Sequence, residues 1–534
     1  VFTGEGCARY VSVMSFFITN FPRTGPALSI AALLLLTACV QAKPSIDAAY
    51  SDRYSRNMFE TGYSFISDHY INTVSLRDLS LSGLDGLRQI DAKLDVRSTA
   101  RQIEVLYNGQ PVGSVTAPRR ENPNVWSQAT VETIALAREV SPAIANATAE
   151  TVFKAVFDSV LKPLDRFSRY DDAETATEKR AFRNGFGGIG VIIRMEETDA
   201  LVISVNENGP AEGAGVRPQD RMTHVGGVPI AGWTQRKLVD QLRGRVNTPV
   251  SFTVKRADAS IPIRLSRRHV VAETAKIERQ DGVAIARLTG FNVDSAQRLE
   301  LLVQREMHSS KGMPRGFVLD LRSNPGGQLL ISIEVSDIFL NGGAIAATRG
   351  RHPGSNQVFA ADAGDLGRAL PLVVLINGNS ASAAEIVAAA LQDNGRAIVV
   401  GTNSFGKGTV QRVLRLPNNG EMTLTWSRFL APSGYRLHEL GVLPSVCTHG
   451  GGDTKSADTL VPAVQHGQDV LAGRLNTWRA TGNNDGADRE GLRELCPSDG
   501  GTPDVDLALA KAIIADAALY HSLLQEAETT VAER

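Results

Sequence analysis

Ser382 stands between two alanines where an apolar run, PLVVLI, gives way to a helix-forming run, AAEIVAAALQ. A serine at a strand-to-helix turn presents its hydroxyl beside the unpaired N–H groups of a helix N-terminus, which suit a developing oxyanion. A hydroxyl is a weak nucleophile on its own and needs a base next to it. Lys407, in GTNSFGKGTV, has glycine on both sides and is the only lysine between Lys311 and Lys455. It is therefore the candidate base. Lysine free in water is protonated at neutral pH, whereas burial disfavours the ammonium and lowers its pKa. Phe405 and Val410 supply apolar neighbours for such a pocket. The chemistry this pair would do is proton transfer from Ser382 to a neutral Lys407, attack on a carbonyl and formation of an acyl-enzyme. Each residue taken alone has a plainer reading: Ser-Ala-Ser before a helix is an N-cap, and a lysine in a Gly-rich turn is a solvated surface residue.

Together, SASAAE at 380–385 and FGKG at 405–408, with Lys407 25 residues after Ser382, resemble the carboxy-terminal processing (tail-specific) serine proteases of peptidase family S41. The resemblance implies a Ser-Lys dyad completed by a glutamine four positions after the lysine. Gln411 occupies that place and would orient the amine. Residues 407 and 411 are an even number apart, so in the strand suggested by TVQRVLRL they are expected on one face. Ala384 departs from the family's usual serine, at a position that touches no proposed catalytic atom. Ser380 reads as structural.

GFVLDLRSNPGGQLL at 316–330 reads as a buried strand, a Gly-Gly turn and a helix from near Gln328. It resembles the family's DLRxNPGG element. That resemblance implies one oxyanion-hole N–H from Gly326 or Gly327 and a second from Ala383. Asp320 and Arg322 read as structural, holding the strand end. His308, His352 and His438 share this half of the chain, but none sits in a recognisable motif, and no chemistry is assigned to them. No cysteine or histidine spacing suggests a metal, and no cofactor is implied.

Residues 185–268 resemble a PDZ domain. GFGGIGVIIR, the strand of LVISV, GPAEGAGV, the Gln-Asp turn, the amphipathic helix TQRKLVDQLRG and the strand VSFTVKR follow in the order of that fold. The resemblance implies a substrate carboxylate held by Gly188, Ile189, Gly190 and Val191, with the peptide added as a strand. Just upstream, LKPLDRFSRYDD resembles the family's LDPHSxYL lead-in, with Asp165, Ser168 and Tyr170 in place. Phe167 stands where the family usually has histidine and Arg166 where it has proline, departures that weaken nothing catalytic. Residues 55–160 carry helical patterns, interrupted by a β-rich insertion over about 95–120.

The first 38 residues read as an export signal. Met14 is the expected start, Arg23 the basic charge and SIAALLLLTA an apolar run too short to span a membrane. Leu36-Thr37-Ala38-Cys39 matches a lipoprotein cleavage box with Cys39 lipidated, and a signal cut near Ala42 is the alternative. Residues 39–54 are a tether. In an oxidising periplasm Cys447 and Cys496 would pair, closing a loop worth roughly 4 kcal/mol on the entropy model. Two separate buried thiols are the other reading. A net charge of −1 argues against nucleic acid as the main partner.

The expectation is an α+β multidomain chain. It would have a helical N-terminal region (55–184), a PDZ domain (185–268), a protease core (269–445) that the family resemblance implies is a crotonase- or ClpP-like α/β fold, and a C-terminal extension (446–534). The function expected is that of a lipid-anchored periplasmic serine endopeptidase recognising free, apolar protein C-termini, with an activator or adaptor protein as a further partner. Two rival classes are a non-catalytic PDZ scaffold delivering substrates to another protease and, because crotonase-like cores also bind thioesters, an enzyme of non-proteolytic acyl chemistry. The intact Ser382, Lys407 and Gln411 argue against the first, and the PDZ domain against the second.

Overall fold

The computed structural model describes residues 52–450, 459, 462–464, 466, 470–482, 488–501 and 503–528. The lipidation candidate Cys39 and the whole export signal lie outside them.

Three short apolar runs, FVLD, LVVLI and IVVG, form fully buried strands at Phe317–Asp320, Leu372–Ile376 and Ile398–Gly401. Near-continuous apolar runs of this kind belong inside parallel sheets covered on both faces. They are the middle of a six-stranded sheet in the order 275–280, 283–288, 317–320, 372–376, 398–401, 446–447, with only the first pair antiparallel. Because side chains alternate along a strand, the sheet has two distinct faces. Phe317, Leu319, Leu372, Val374, Ile376 and Val399 pack under the helices Ser295–Met307, Leu329–Asp337 and Ala383–Asp393. Val318, Val373, Leu375, Ile398 and Val400 pack under the helices Pro503–Ala515 and Ala517–Glu528.

Two sequence expectations change here. The terminal run DLALAKAIIADAALYHSLLQEA reads as one helix, but the structure breaks it at Asp516, whose carboxylate accepts the Leu519 N–H at 3.0 Å and caps a second helix. The expected boundary at 445 also falls inside the core: Val446–Cys447 is the sixth strand, and the terminal helices cover the second face.

A second sheet stands beside the first, with strands Gln357–Ala360, Ala344–Arg349, Glu421–Leu430 and Thr409–Arg415 in that order and Arg169–Asp171 added to the edge of Glu421–Leu430. The N-terminal region is helical over 52–85 and 123–161. The insertion is a three-stranded antiparallel sheet, Leu94–Ser98, Gln102–Tyr107 and Gln110–Thr116, packed on the helix Pro123–Val140. Residues 191–266 form a separate antiparallel sheet with the helix Gln235–Leu242 and its own apolar core around Ile193, Val202, Leu238 and Phe252.

Candidate active site

Ser382 caps the helix Ala383–Asp393 with φ +56° and ψ −113°. Positive φ is uncommon outside glycine, and such strain gathers where a side chain must be aimed. The strand Leu372–Ile376 feeds this turn, so Ser382 sits at the carboxyl end of a parallel strand and the amino end of a helix. Ser380, by contrast, is fully buried. Its hydroxyl donates to Leu321 O at 2.9 Å and accepts the Asn377 N–H at 2.9 Å, which fixes the loop rather than reaching the cleft.

Ser382, Ala383, Gly326, Gly327, Lys407 and Gln411 line one cleft of ≈860 Å³, whose walls are completed by Phe182, Leu329, Ile386, Val410 and Phe429. The structure thus brings the six proposed core-site residues together from three separate stretches of chain. None of the histidines lines this cleft.

The organiser of the site is a residue that the sequence reading passed over. Glu385 is 1% exposed. Its Oε2 accepts the N–H groups of Ser382 at 2.7 Å and Lys407 at 2.9 Å, while its Oε1 accepts the Gly406 N–H at 2.7 Å and the Ser404 hydroxyl at 2.6 Å. One carboxylate therefore ties the turn carrying the candidate nucleophile to the loop carrying the candidate base. Burial pushes its pKa up, and the four donors pull the other way. The signal for it was present: Ser382-Ala-Ala-Glu385 has the S-x-x-E spacing of a capping box.

Lys407 is largely buried, and its pKa is lowered, first by that burial and then by the nearby Arg169 guanidinium; Glu385 and Asp165 act in the opposite sense. Its ammonium rests over the Phe167 ring, 5.1 Å from the centroid. In the sequence, the departure at Phe167 reads as weakening nothing catalytic; the structure adds that this lead-in segment folds under the candidate base, where Asp165 accepts the N–H groups of Phe167 and Ser168 at 2.7 and 2.9 Å.

Gln411 is held differently from the expected arrangement. Lys407 precedes the strand Thr409–Arg415 and so lies outside its alternation, although both residues line the cleft; the register shift between Val410 and Gln411 adds its extra residue, Trp426, on the facing strand. The Gln411 amide donates to Thr409 Oγ1 at 2.8 Å and Thr425 Oγ1 at 3.4 Å. Thr425 in turn donates to Asp165 at 3.0 Å.

The two glycines differ as oxyanion donors. The Gly326 N–H is already committed to Asn324 Oδ1 at 2.9 Å, which removes it from that role. The N–H groups of Gly327 and Ala383 have no acceptor among the described residues. Gly326 has another duty. At φ +96°, a Cβ there would lie 2.7 Å from Ala381 O, 2.9 Å from Ala383 N and 2.9 Å from Ser382 Cβ. Gly326→Ala is therefore expected to displace the Ser382 turn, costing about 1–3 kcal/mol of stability and at least tenfold in turnover. A denaturant midpoint and a kcat within error of wild type would refute this close approach.

Asp320 and Arg322 pair with each other, and Arg322 Nη1 also reaches Asp506 at 3.1 Å, outside the cleft. In the 187–266 module, the strand Val191–Met195 is an edge strand of its sheet. Gly188 pairs with Arg268, and the N–H groups of Ile189 and Gly190 have no acceptor among the described residues. Cys447 and Cys496 are joined by a disulfide.

Residues 282–447 match the family model of peptidase family S41, and residues 187–266 match that of the PDZ domain. A carboxy-terminal-processing protease of Bartonella bacilliformis is 38% identical over 303 residues, covering 56% of this chain and 69% of the relative. The chain belongs to peptidase family S41. The carboxy-terminal processing protease CtpA of Bacillus subtilis is 31% identical over 285 residues, 53% of this chain and 60% of the relative. A probable CtpA-like serine protease of Staphylococcus aureus is 30% identical over 300 residues, 55% of this chain and 59% of the relative. The S41 chain thus spans about three fifths of the length of these last two. Its family places it among the serine-type peptidases, with a PDZ domain ahead of the protease core.

Proposed function

We propose that this S41 chain is an exported serine endopeptidase that grips a substrate's free C-terminus in its PDZ domain and cleaves with Ser382 and Lys407. The observation that carries the reading is Glu385, a single buried carboxylate whose two oxygens hold the Ser382 turn and the Lys407 loop on one cleft. No hydrogen bond joins Lys407 Nζ to Ser382 Oγ among the described residues, so in the reaction neutral Lys407 turns from its place over Phe167 to Ser382 Oγ and takes its proton, and Ser382 attacks the peptide carbonyl. The oxyanion accepts hydrogen bonds from the N–H groups of Ala383 and Gly327. Lys407 then returns the proton to the leaving amine, and water hydrolyses the acyl-enzyme. Gln411 and Thr409 line the wall beside the amine and limit where it can go.

For substrate capture, the free N–H groups of Ile189 and Gly190 would hold the terminal carboxylate, and the open edge at Val191–Met195 would take the peptide as an added strand. The apolar residues lining the cleft favour unstructured, apolar tails. Export fits the Cys447–Cys496 disulfide, since such bonds persist in oxidising compartments. Lipidation at Cys39 would anchor the chain to the membrane facing the periplasm.

The test is cleavage of an unstructured protein with a free apolar C-terminus by the chain and by Ser382→Ala. The expected result is cleavage by the former alone. Equal cleavage by both would reject Ser382 as nucleophile, and binding of the tail without cleavage by either would favour a scaffold.

A further inference from the structure

The segment from Arg489 to Gly501 belongs to neither proposed oxyanion donors nor dyad, yet it touches both loops that carry them. Arg493 donates through Nη2 to Ser404 O at 2.9 Å and through Nη1 to Leu440 O at 2.8 Å, so it grips the loop leading to Lys407. Its guanidinium fills the space where Gly406 and Gly441 have no Cβ; a Cβ at either would lie 3.2 or 3.0 Å from Nη1. Six residues further on, the chain reaches the Ser382 side. The Gly378 N–H donates to Asp499 O at 2.7 Å, and the Asn377 amide donates to Gly500 O at 2.8 Å. Asn377 also accepts the Ser323 N–H at 2.9 Å, which ties in the strand end before the Gly326-Gly327 turn.

Between the two grips lies Cys496, fully buried and bonded to Cys447 on the last strand of the core sheet. The helix containing Arg493 is only five residues long, Arg489–Arg493, and residues 494–501 have no regular structure. The disulfide is the covalent tether that holds this otherwise irregular segment to the sheet.

We infer that the Cys447–Cys496 bond and Arg493 form a clamp that positions the Ser382 and Lys407 loops, so that turnover depends on the oxidised state of the bond. This rests on the reading of Ser382 and Lys407 as the reacting pair. Arg493 acts through the loop and is a positioning residue. Breaking the bond takes a dithiol. Two electrons and two protons pass to the sulfurs, Cys447 and Cys496 become thiols, and the dithiol closes to its own disulfide. Because both sulfurs are buried, reduction proceeds through local opening of the segment, and the loss of activity should follow the appearance of thiols in time.

The experiment treats the full chain with dithiothreitol, counting free thiols and measuring peptide cleavage on the same aliquots, with the Cys447→Ser/Cys496→Ser double variant alongside. Displacing a reacting group by about an ångström can cost on the order of a hundredfold. The expected result is at least a tenfold fall in kcat as two thiols appear, with KM changed less than twofold. The double variant should start at the reduced level and ignore dithiothreitol. The acid limb of the pH profile should also move to higher pH, because a loosened loop lets water reach Lys407. Arg493→Gln, which leaves the bond intact, serves should the double variant not fold. It should lower kcat in the same manner, and Arg493→Lys should restore part of it. Two thiols released with kcat and acid limb unchanged would overturn the clamp. Ser382→Ala, assayed oxidised, separates the two claims: an active Ser382→Ala overturns the site reading, whereas an inactive one beside a fully active reduced wild type overturns the clamp alone.

Discussion

Lys407→Arg is expected to lower peptide cleavage by at least about a thousandfold while the fold and the binding of C-terminal peptides stay intact. The substitution keeps the positive charge and nearly the length of the side chain, and removes only the capacity to become neutral, since a guanidinium stays protonated at any working pH. In the wild type, burial lowers the Lys407 pKa, and the Arg169 guanidinium adds to the effect. Glu385, Asp165 and the face of the Phe167 ring favour the ammonium, and burial outweighs them. The sign for activity follows. The reactive form is the free amine, so kcat/KM should rise with pH through the pKa of the folded lysine. That rise should be centred below the ordinary lysine value of about 10.4. A pH profile of wild type on a neutral peptide, with Lys407→Arg beside it, checks both points. Wild-type turnover in the arginine variant, or a rate still climbing at the ordinary lysine pKa, would exclude Lys407 as the base.

Glu385→Gln is expected to have the next largest effect, although Glu385 itself lies behind the cleft wall. Both carboxylate oxygens are saturated: Oε2 by the N–H groups of Ser382 and Lys407, Oε1 by Gly406 N–H and the Ser404 hydroxyl. An amide keeps one acceptor and turns the other position into a donor facing donors. Rotating the amide only exchanges which pair of donors loses its acceptor, Ser382 with Lys407 or Ser404 with Gly406. Each buried donor left unpaired costs about 1–3 kcal/mol, so a stability loss of about 2–4 kcal/mol is expected, together with a fall in kcat of about a hundredfold from loop displacement. Denaturant unfolding and kcat measured on the same preparation check the pair of effects. A variant that loses stability but keeps full kcat would show that Glu385 serves the core and not the alignment of Ser382 with Lys407.

The candidate site residues are legible in the sequence because their identity is local. A serine at a strand-to-helix turn, a lone lysine among glycines and an Asn-Pro-Gly-Gly turn each announce a backbone conformation and a reactive group within a few positions. The buried strands were legible for a similar reason: runs such as LVVLI have no polar residue to face solvent. What periodicity misjudged were places where a single residue or a strand end intervenes. Asp516 breaks an apolar helical run by capping a new helix, and Lys407 lies before the strand that carries Gln411, so the parity count does not extend to it.

By itself, then, the sequence determined the family resemblance, the order of modules and the three chain segments that would build a serine peptidase site. The tertiary structure decided what holds those segments in register. Folding brought the Ser404, Gly406 and Lys407 donors to Glu385 from about twenty residues away, while the Ser382–Glu385 and Gly326–Asn324 bonds are local and the Gly327 N–H is left open. It also brought Phe167 beneath Lys407, and Arg493 and Asp499 against the two loops. The contacts of Phe167, Arg493 and Asp499 do not follow from spacing, because their partners are far along the chain, as much as 240 residues for Phe167 and Lys407. Which donor finds which acceptor is set by how sheet, helices and C-terminal segment pack, and a buried polar group must find one or pay the full cost of its lost water.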